Sequence, residues 1–388
     1  MANVLTDLAA DIYKAADVVG RELVGFIPAA TINADGSEQA ALNDAVRSHA
    51  TRAATINNVA PSMTIPEGDD QTVDNKTLTL DTAKAAEIPW TGEDIRHVNN
   101  GSGYETIYGD QIAQAMRALS NLIEADLATE AYQNASRAVG TAGTTPFASN
   151  FNTVAEVRQI LADNGCPMND RQISLVMDTS ASTKLRNLAQ LQKANEAGSD
   201  NLLRQGVLLD LQGLAMRESA QVQSHAIGTG SSYLIDLVAG YAAGDKTIHV
   251  DTGTGTFVAG DIITVADDPF GGKYVVGTGF AGDGDGDVVL NAALIKDAAF
   301  VNNKAVTIGA AYTGNVAFHR SALELAMRAP ANPVGGDAAV DMMVVQDPHS
   351  GLVFEVSVYK GYKKSMISVG AVWGTKAWKP EHIGLLLG

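Results

Sequence analysis

The chain has 388 residues, more than a single hydrophobic core usually serves, so two or more compact units are expected. Apolar residues make up 46% and charged residues 18%, a globular balance that argues against a disordered chain. The formal charge of −17 argues against general affinity for nucleic acid, since proteins that bind it neutralise phosphates with Lys and Arg.

The first thirty residues, MANVLTDLAADIYKAADVVGRELVGFIPAA, carry acids early and have neither a basic start nor a long apolar run. No secretory leader and no membrane span are expected, and the chain reads as one kept in a cytosol-like compartment. Residues 4–25 have Leu5, Leu8, Ile12, Ala15 and Val19 on one face of an amphipathic helix, ended by Pro28. From Ala29 to Pro61 the sequence is polar and broken, with a turn at Asp35-Gly36 and a short helical patch near Leu42 to Val46. So little apolar material builds no core alone, so this stretch either frays or lies on a neighbouring chain.

Residues 62–93 read as a long extended hairpin, with the alternating run TLTLDT and a charged tip, EGDDQTVDNK. Its open backbone edges burden a monomer and suit a partner. Thr91, with Asp94 three residues on, is placed to cap a short helix. The strongest helix lies over 104–136, where Ile112, Met116, Leu119, Ile123 and Leu127 recur at spacings of four, three, four and four; such a rod is roughly 45–50 Å long. GTAGTTPFASN breaks it. A helix over 152–164, a buried strand ISLVMD at 173–178 and two helical patches across 180–208 follow.

Composition shifts at residue 226. The segment 226–315 holds 16 of the 38 glycines, ten Asp, four Lys, no Glu and no Arg. The short runs KTIHV, DIITV, KYVVG, DVVLN and AVTIG, set between Gly/Asp turns, predict a small antiparallel barrel or sandwich. Helical pattern is read again in NVAFHRSALELAMRAP, 315–330, so the β unit is expected to interrupt an older domain. Two alternating strands then span 351–374 around a basic turn, Lys360 to Lys364, ahead of KAWKPEHIGLLLG.

The chain is poor in recognisable chemistry. Phe270-Gly271-Gly272-Lys273 lacks the first glycine and the Ser or Thr of a phosphate-binding loop, and no GxSxG, HExxH or CxxC occurs. The seven histidines, His49, His97, His225, His249, His319, His349 and His382, have no ligand spacing, and Cys166, the only cysteine, reads as an inert small residue in NGCPMND. No catalytic residue and no cofactor are expected, and the chain is read as no enzyme. Asp283, Asp285 and Asp287 alternate as calcium loops begin, but Leu294 stands where an EF-hand needs Glu, so a solvated Gly/Asp turn is the better reading and calcium between subunits the sharper one. Lys360, Lys363 and Lys364 read as a solvated turn, or as a charge partner for an acidic neighbour.

Arm, extended hairpin, spine helix, mixed α/β region with a β insertion, and closing strands form an ordered set. KTLTLDTAKAAEIPWTGED, NVAFHRSALELAMRAP and WGTKAWKPEHIGLLL carry a resemblance across nearly the whole chain to the major capsid proteins of tailed bacteriophages. This is the Hong Kong phage capsid fold, shared with encapsulin shells, in its short-tailed-phage form with an inserted telokin-like β domain. The resemblance implies an α+β fold divided into an N-terminal arm (1–61), an extended loop hairpin (62–95), a spine helix and peripheral domain (96–150), a central axial domain (151–225 and 316–350), an inserted β domain (226–315) and C-terminal strands returning to the peripheral domain (351–388). It further implies a homo-oligomer of pentons and hexons enclosing double-stranded DNA without sequence-specific contacts, a virion protein assembled in the host cytoplasm. With no fused N-terminal scaffold region, a separate scaffolding protein is implied, together with portal and decoration proteins. An encapsulin-like compartment and a surface-binding module built on the insertion are the alternatives. Some relatives crosslink a hairpin Lys to a neighbour's Asn; Lys76 and Lys84 lie on the hairpin here and read as solubilising charges.

Overall fold

In the computed structural model, which describes residues 25–50, 56, 58–59, 61–65, 74–99, 104–193, 210–268, 270–294, 302–347 and 350–388, strand outweighs helix. The helix expected over 4–25 and the second half of the 180–208 region lie outside the described residues. The chain runs β1 (Thr31–Ala40), β2 (Ala45–Ala50), β3 (Asp74–Thr79), β4 (Thr82–Thr91), α1 (Gly92–Asn99), α2 (Tyr104–Gln133), β5 (Arg137–Gly140), α3 (Asn152–Asp163), β6 (Ile173–Met177), α4 (Thr179–Arg186), α5 (Ala189–Gln192), β7 (Ala215–Glu218) and β8 (Ser224–His225). It continues β9 (Tyr233–Ile235), β10 (Thr247–Gly253), β11 (Ile262–Val265), β12 (Tyr274–Thr278), β13 (Gly284–Leu290), β14 (Ala305–Ile308), β15 (Tyr312–His319), β16 (Leu323–Pro330), β17 (Asp341–Gln346), β18 (Val353–Gly361), β19 (Lys364–Ala377) and β20 (Ile383–Leu387).

The helix α2 is the axle of the molecule. Its 30 residues give a rod of about 45 Å, and Ile112, Met116, Leu119, Ile123 and Leu127 are all buried, as their spacing requires. They share the largest core with apolar residues of two sheets, among them Val316 and Phe318 of one, and Phe354, Val369 and Trp373 of the other. The short helix α1 begins with the expected cap: Asp94 N–H donates to Thr91 Oγ1 at 3.2 Å, and Thr91 N–H donates to Asp94 Oδ2 at 3.3 Å.

One sheet runs β1-β16-β19-β18-β17, with β4 added to β19, whose fourteen residues make it the hub. The other body sheet runs β5-β20-β15-β6-β7, parallel at its two ends and antiparallel through its centre. Period-two alternation splits its residues between layers. Val316, Phe318, Leu385 and Leu387 face α2, whereas Ala317 and Leu386 face a second core built on Val154, Val157 and Leu161 of α3.

The strands from Tyr233 to Ile308 close on themselves. β9 pairs with β10, β10 with β13, β13 with β12, β12 with β11, β11 with β14 and β14 with β9, all antiparallel, around a separate core of Tyr233, Ile248, Val250, Ile263, Val276 and Val288. Each of the five runs singled out in the sequence is a strand of this barrel. The chain leaves the body sheet through β8 and returns through β15, which pair with each other at His225–Tyr312 and Ser224–Thr313.

Three segments differ from their expected form. NVAFHRSALELAMRAP is not helical: it is β15, a 3-10 turn at Arg320–Ala322, and β16. Both strands are covered on both faces, so apolar residues recur without strict alternation and imitate helical spacing. Residues 42–46 form a turn and the start of β2, not a helical patch. The hairpin expected within 62–93 is instead made by β3 pairing back onto β2, while β4 pairs along its whole length with β19. Among the described residues, no helix is long and apolar enough to cross a membrane.

Candidate assembly interface

The ribbon β2–β3 leaves the body. It is paired from Ala45–Thr79 to Ala50–Asp74 and joins no other strand among the described residues. Its root is fixed. Leu78 and Leu80 are buried with Ala40, Ala326 and Val372, and Leu80 N–H donates to the Asp44 carbonyl at 2.9 Å. Asn43 turns the chain with φ of 71°, its amide donating to the Leu80 carbonyl at 2.7 Å. On the hub strand, Gly374 passes so near that a Cβ there would sit 2.1 Å from the Thr79 carbonyl oxygen.

Beyond that root the ribbon has no core of its own, and an isolated two-stranded ribbon is marginal in water. Past β2, Ile56, Val59, Met63 and Ile65 are each more than 90% exposed. Burying one such side chain is worth about 1.5–3 kcal/mol, so four leave a large unused contribution. A second exposed set, Val334, Val340 and Met342, lies on and beside the loop between β16 and β17.

The lysines take distinct places. Lys76 is half-buried, its ammonium 5.6 Å above the Trp378 ring, whereas Lys84 is exposed on β4 opposite Ala371. Lys360, Tyr362, Lys363 and Lys364 stand exposed at the β18–β19 turn, where Lys363 has φ of 54° and its carbonyl accepts the Gly92 amide at 3.1 Å. The basic cluster is thereby set beside the start of α1, whose first turn carries Glu93 and Asp94.

The calcium candidates sit along the barrel's β13 edge. Asp283 Oδ1 accepts the Gly255 amide at 2.8 Å, while Asp285 and Asp287 each place an oxygen 2.7 Å from one ring nitrogen of His249. Ionised carboxylates only accept, so satisfying both contacts takes a donor at each ring nitrogen, which is the imidazolium form of His249. The Asp287 hydrogen bond, followed by the charges of Asp285, Asp287 and Asp236, raises the His249 pKa. Among the described residues, no group of three or more His, Cys, Asp or Glu side chains is arranged to hold a metal ion.

Sequence spacing gave no sign of one cluster. His319 Nε2 lies 2.7 Å from Asp170 Oδ2 and its Nδ1 lies 2.8 Å from Ser321 Oγ, the order of a nucleophile relay. The Ser321 amide also donates to that Nδ1 at 3.2 Å, so the ring caps the 3-10 turn and Ser321 is held on an exposed loop. Nearby, burial and then the charge of Asp170 push the Cys166 thiol up to about 11, far from a reactive thiolate.

No family model and no curated protein matches the chain. Among solved structures it is similar to the capsid of the cyanophage P-SCSP1u (TM-score 0.48, 10% identity, covering 92% of this chain and 86% of that one). It is also similar to Mycobacterium phage Che8 (TM-score 0.46, 14% identity, 89% and 84%) and to a virus-like particle from Pyrococcus furiosus (TM-score 0.44, 8% identity, 98% and 99%). At TM-scores below 0.5 and identities of 14% or less, these likenesses leave function to be argued from the chain's own geometry.

Proposed function

We propose that this chain is the repeating subunit of a closed icosahedral shell, a coat protein of the tailed-phage type that encloses double-stranded DNA and performs no chemistry. The observation that carries this reading is the ribbon β2–β3: two strands with no core beyond their root, with Ile56, Val59, Met63 and Ile65 between them along the chain in full exposure. A monomer gains nothing from such an element. A second copy that covers it converts the exposed surface into association energy, and repetition around closed symmetry multiplies many modest contacts.

The remaining parts fit that role. The axle α2 and the hub β19 stiffen the body, and the barrel, read as an inserted domain over 226–315, adds a rigid unit that continues the body sheet where β12 pairs with β5. A charge of −17 repels neighbouring copies at low salt and repels packed DNA, so contents slide rather than stick. A separate scaffolding protein sets the curvature, and pentons and hexons are the repeating assemblies.

Electron microscopy of the purified chain, alone and with its scaffolding protein, tests this. Closed shells are expected, promoted by salt. The combined variant Ile56→Ser, Val59→Ser, Met63→Ser and Ile65→Ser should remain monomeric with an unchanged melting temperature, because those side chains are exposed in the subunit. Wild-type chains that stay monomeric under every condition would overturn the reading.

A further inference from the structure

The largest core encloses a carboxyl group. Glu124, on α2, is fully buried, and its carboxylate accepts three consecutive backbone amides: Gly25 and Phe26 on Oε1 at 2.6 and 2.7 Å, and Ile27 on Oε2 at 2.9 Å. No other donor reaches it among the described residues. Residues 25–30 are wedged between α2 and the body sheet. Phe26 stacks on Phe318 with ring centres 5.8 Å apart and planes 3° from parallel, and the Ala29 and Ala30 amides close a turn on the Phe26 carbonyl. Gly25 lies so close to β6 that a Cβ would meet Val176 Cγ1 at 2.5 Å and the Glu218 carbonyl oxygen at 3.2 Å.

A buried carboxylate bound by amides is tolerable, and one stripped of its donors is not. If residues 25–27 withdrew while α2 stayed in place, Glu124 would be left buried without the three amides that satisfy it. Withdrawal therefore requires α2 to turn or shift until Glu124 reaches water. We infer that Glu124 is a latch that couples residues 25–30 to α2, so that the two leave their packed positions together. The consequence reaches across the molecule, because α2 also binds β19 through Asp126 and Glu130, and the barrel through Asn291. Whatever holds or pulls the chain ahead of Gly25 acts on the middle of α2.

Hydrogen exchange followed by mass spectrometry on the full-length, unassembled chain tests the coupling, independently of shell formation. Glu124→Gln, which replaces one acceptor by an NH2 facing the amides, and Gly25→Ala, which attacks the same contact from the other side, should each speed exchange of residues 25–30 and of α2 around 119–128 by tenfold or more. Strands β10 and β13 should be unaffected. If either variant fails to fold, the wild type in mild denaturant is decisive: residues 25–30 and 119–128 should open at one common denaturant concentration. Gly25→Ala freeing 25–30 while α2 stays protected, Glu124→Gln leaving 25–30 protected, or separate openings in the wild type would each overturn the latch.

Discussion

Trp373 of β19 donates its indole N–H to Asp126 of α2 at 2.9 Å. One turn along the helix, Glu130 accepts the Ala377 amide, also at 2.9 Å, so the hub strand is fastened to the axle helix by two carboxylates on successive turns. Trp373 is fully buried and sits in the largest core. A hub that carries β4, β18 and β16 is thereby held in register with a helix that also touches the body sheet and the barrel.

Both carboxylates have raised pKa values, burial being the first cause in each case. The folded state therefore holds protons more tightly than the unfolded state in the window between the ordinary carboxylate range and the raised value. Across that window stability falls as pH rises, and the penalty is complete above it. Glu130→Gln keeps an acceptor for Ala377 and removes the charge. It should melt a few degrees above wild type at pH 7, the difference shrinking toward pH 4, as read by calorimetry across that range.

The barrel meets the axle through Ile262 and Val275, which share its core, and through a polar side chain. Asn291 Nδ2 donates to the Gln133 carbonyl at 2.6 Å and to the Ala135 carbonyl at 2.9 Å, satisfying acceptors that the end of α2 leaves open. Asn291→Ala should cost about 1–3 kcal/mol. Asn291→Asp should cost more, because a carboxylate would face two carbonyl oxygens. Chemical denaturation followed by fluorescence measures both.

The parts that could be read from the sequence are those where one face alone decides. The stripe from Ile112 to Leu127 announced α2, and the alternation of KTIHV or DIITV, bounded by glycine, announced barrel strands. β15 and β16 were hidden because Ala317 packs on one core and Phe318 on another, so both faces read apolar. β1 was hidden for the opposite reason. TINADGSEQA has no apolar alternation, and it is held as a strand by parallel pairing with β16 and by Arg328, whose guanidinium reaches the Asn33 carbonyl at 2.8 Å and Glu38 at 3.1 Å. The exposed residues Ile56, Val59, Met63 and Ile65 follow no period at all, so their common fate is visible only once the fold leaves them outside.

The root of the ribbon gives a test that separates folding from assembly. A Cβ on Gly374 would overlap the Thr79 carbonyl oxygen and lie 3.0 Å from Leu78 Cδ2. Backbone cannot yield as a side-chain end does, so Gly374→Ala should prise β3 from β19 and leave the barrel intact. Expected are rapid exchange of residues 74–80, retained protection in β10 and β13, and failure to form shells. Normal shells from this variant would remove the ribbon from the account of assembly.

His249 supplies the opposite pH sign. Its pKa is raised, so the tie it makes across β10 and β13 is fully present below the unfolded histidine value near 6.5 and is lost as pH rises through the folded value. The ring is 39% exposed, and Asp285 and Asp287 more so, which screens the pair to well under 1 kcal/mol. Melting temperature is therefore a poor reporter, and the imidazole itself is a good one. In nitrogen-15 NMR of the unassembled chain, His249 should titrate above an unstructured histidine with both ring nitrogens protonated at pH 6. Asp287→Asn, which removes the larger cause, should lower its midpoint more than Asp285→Asn does.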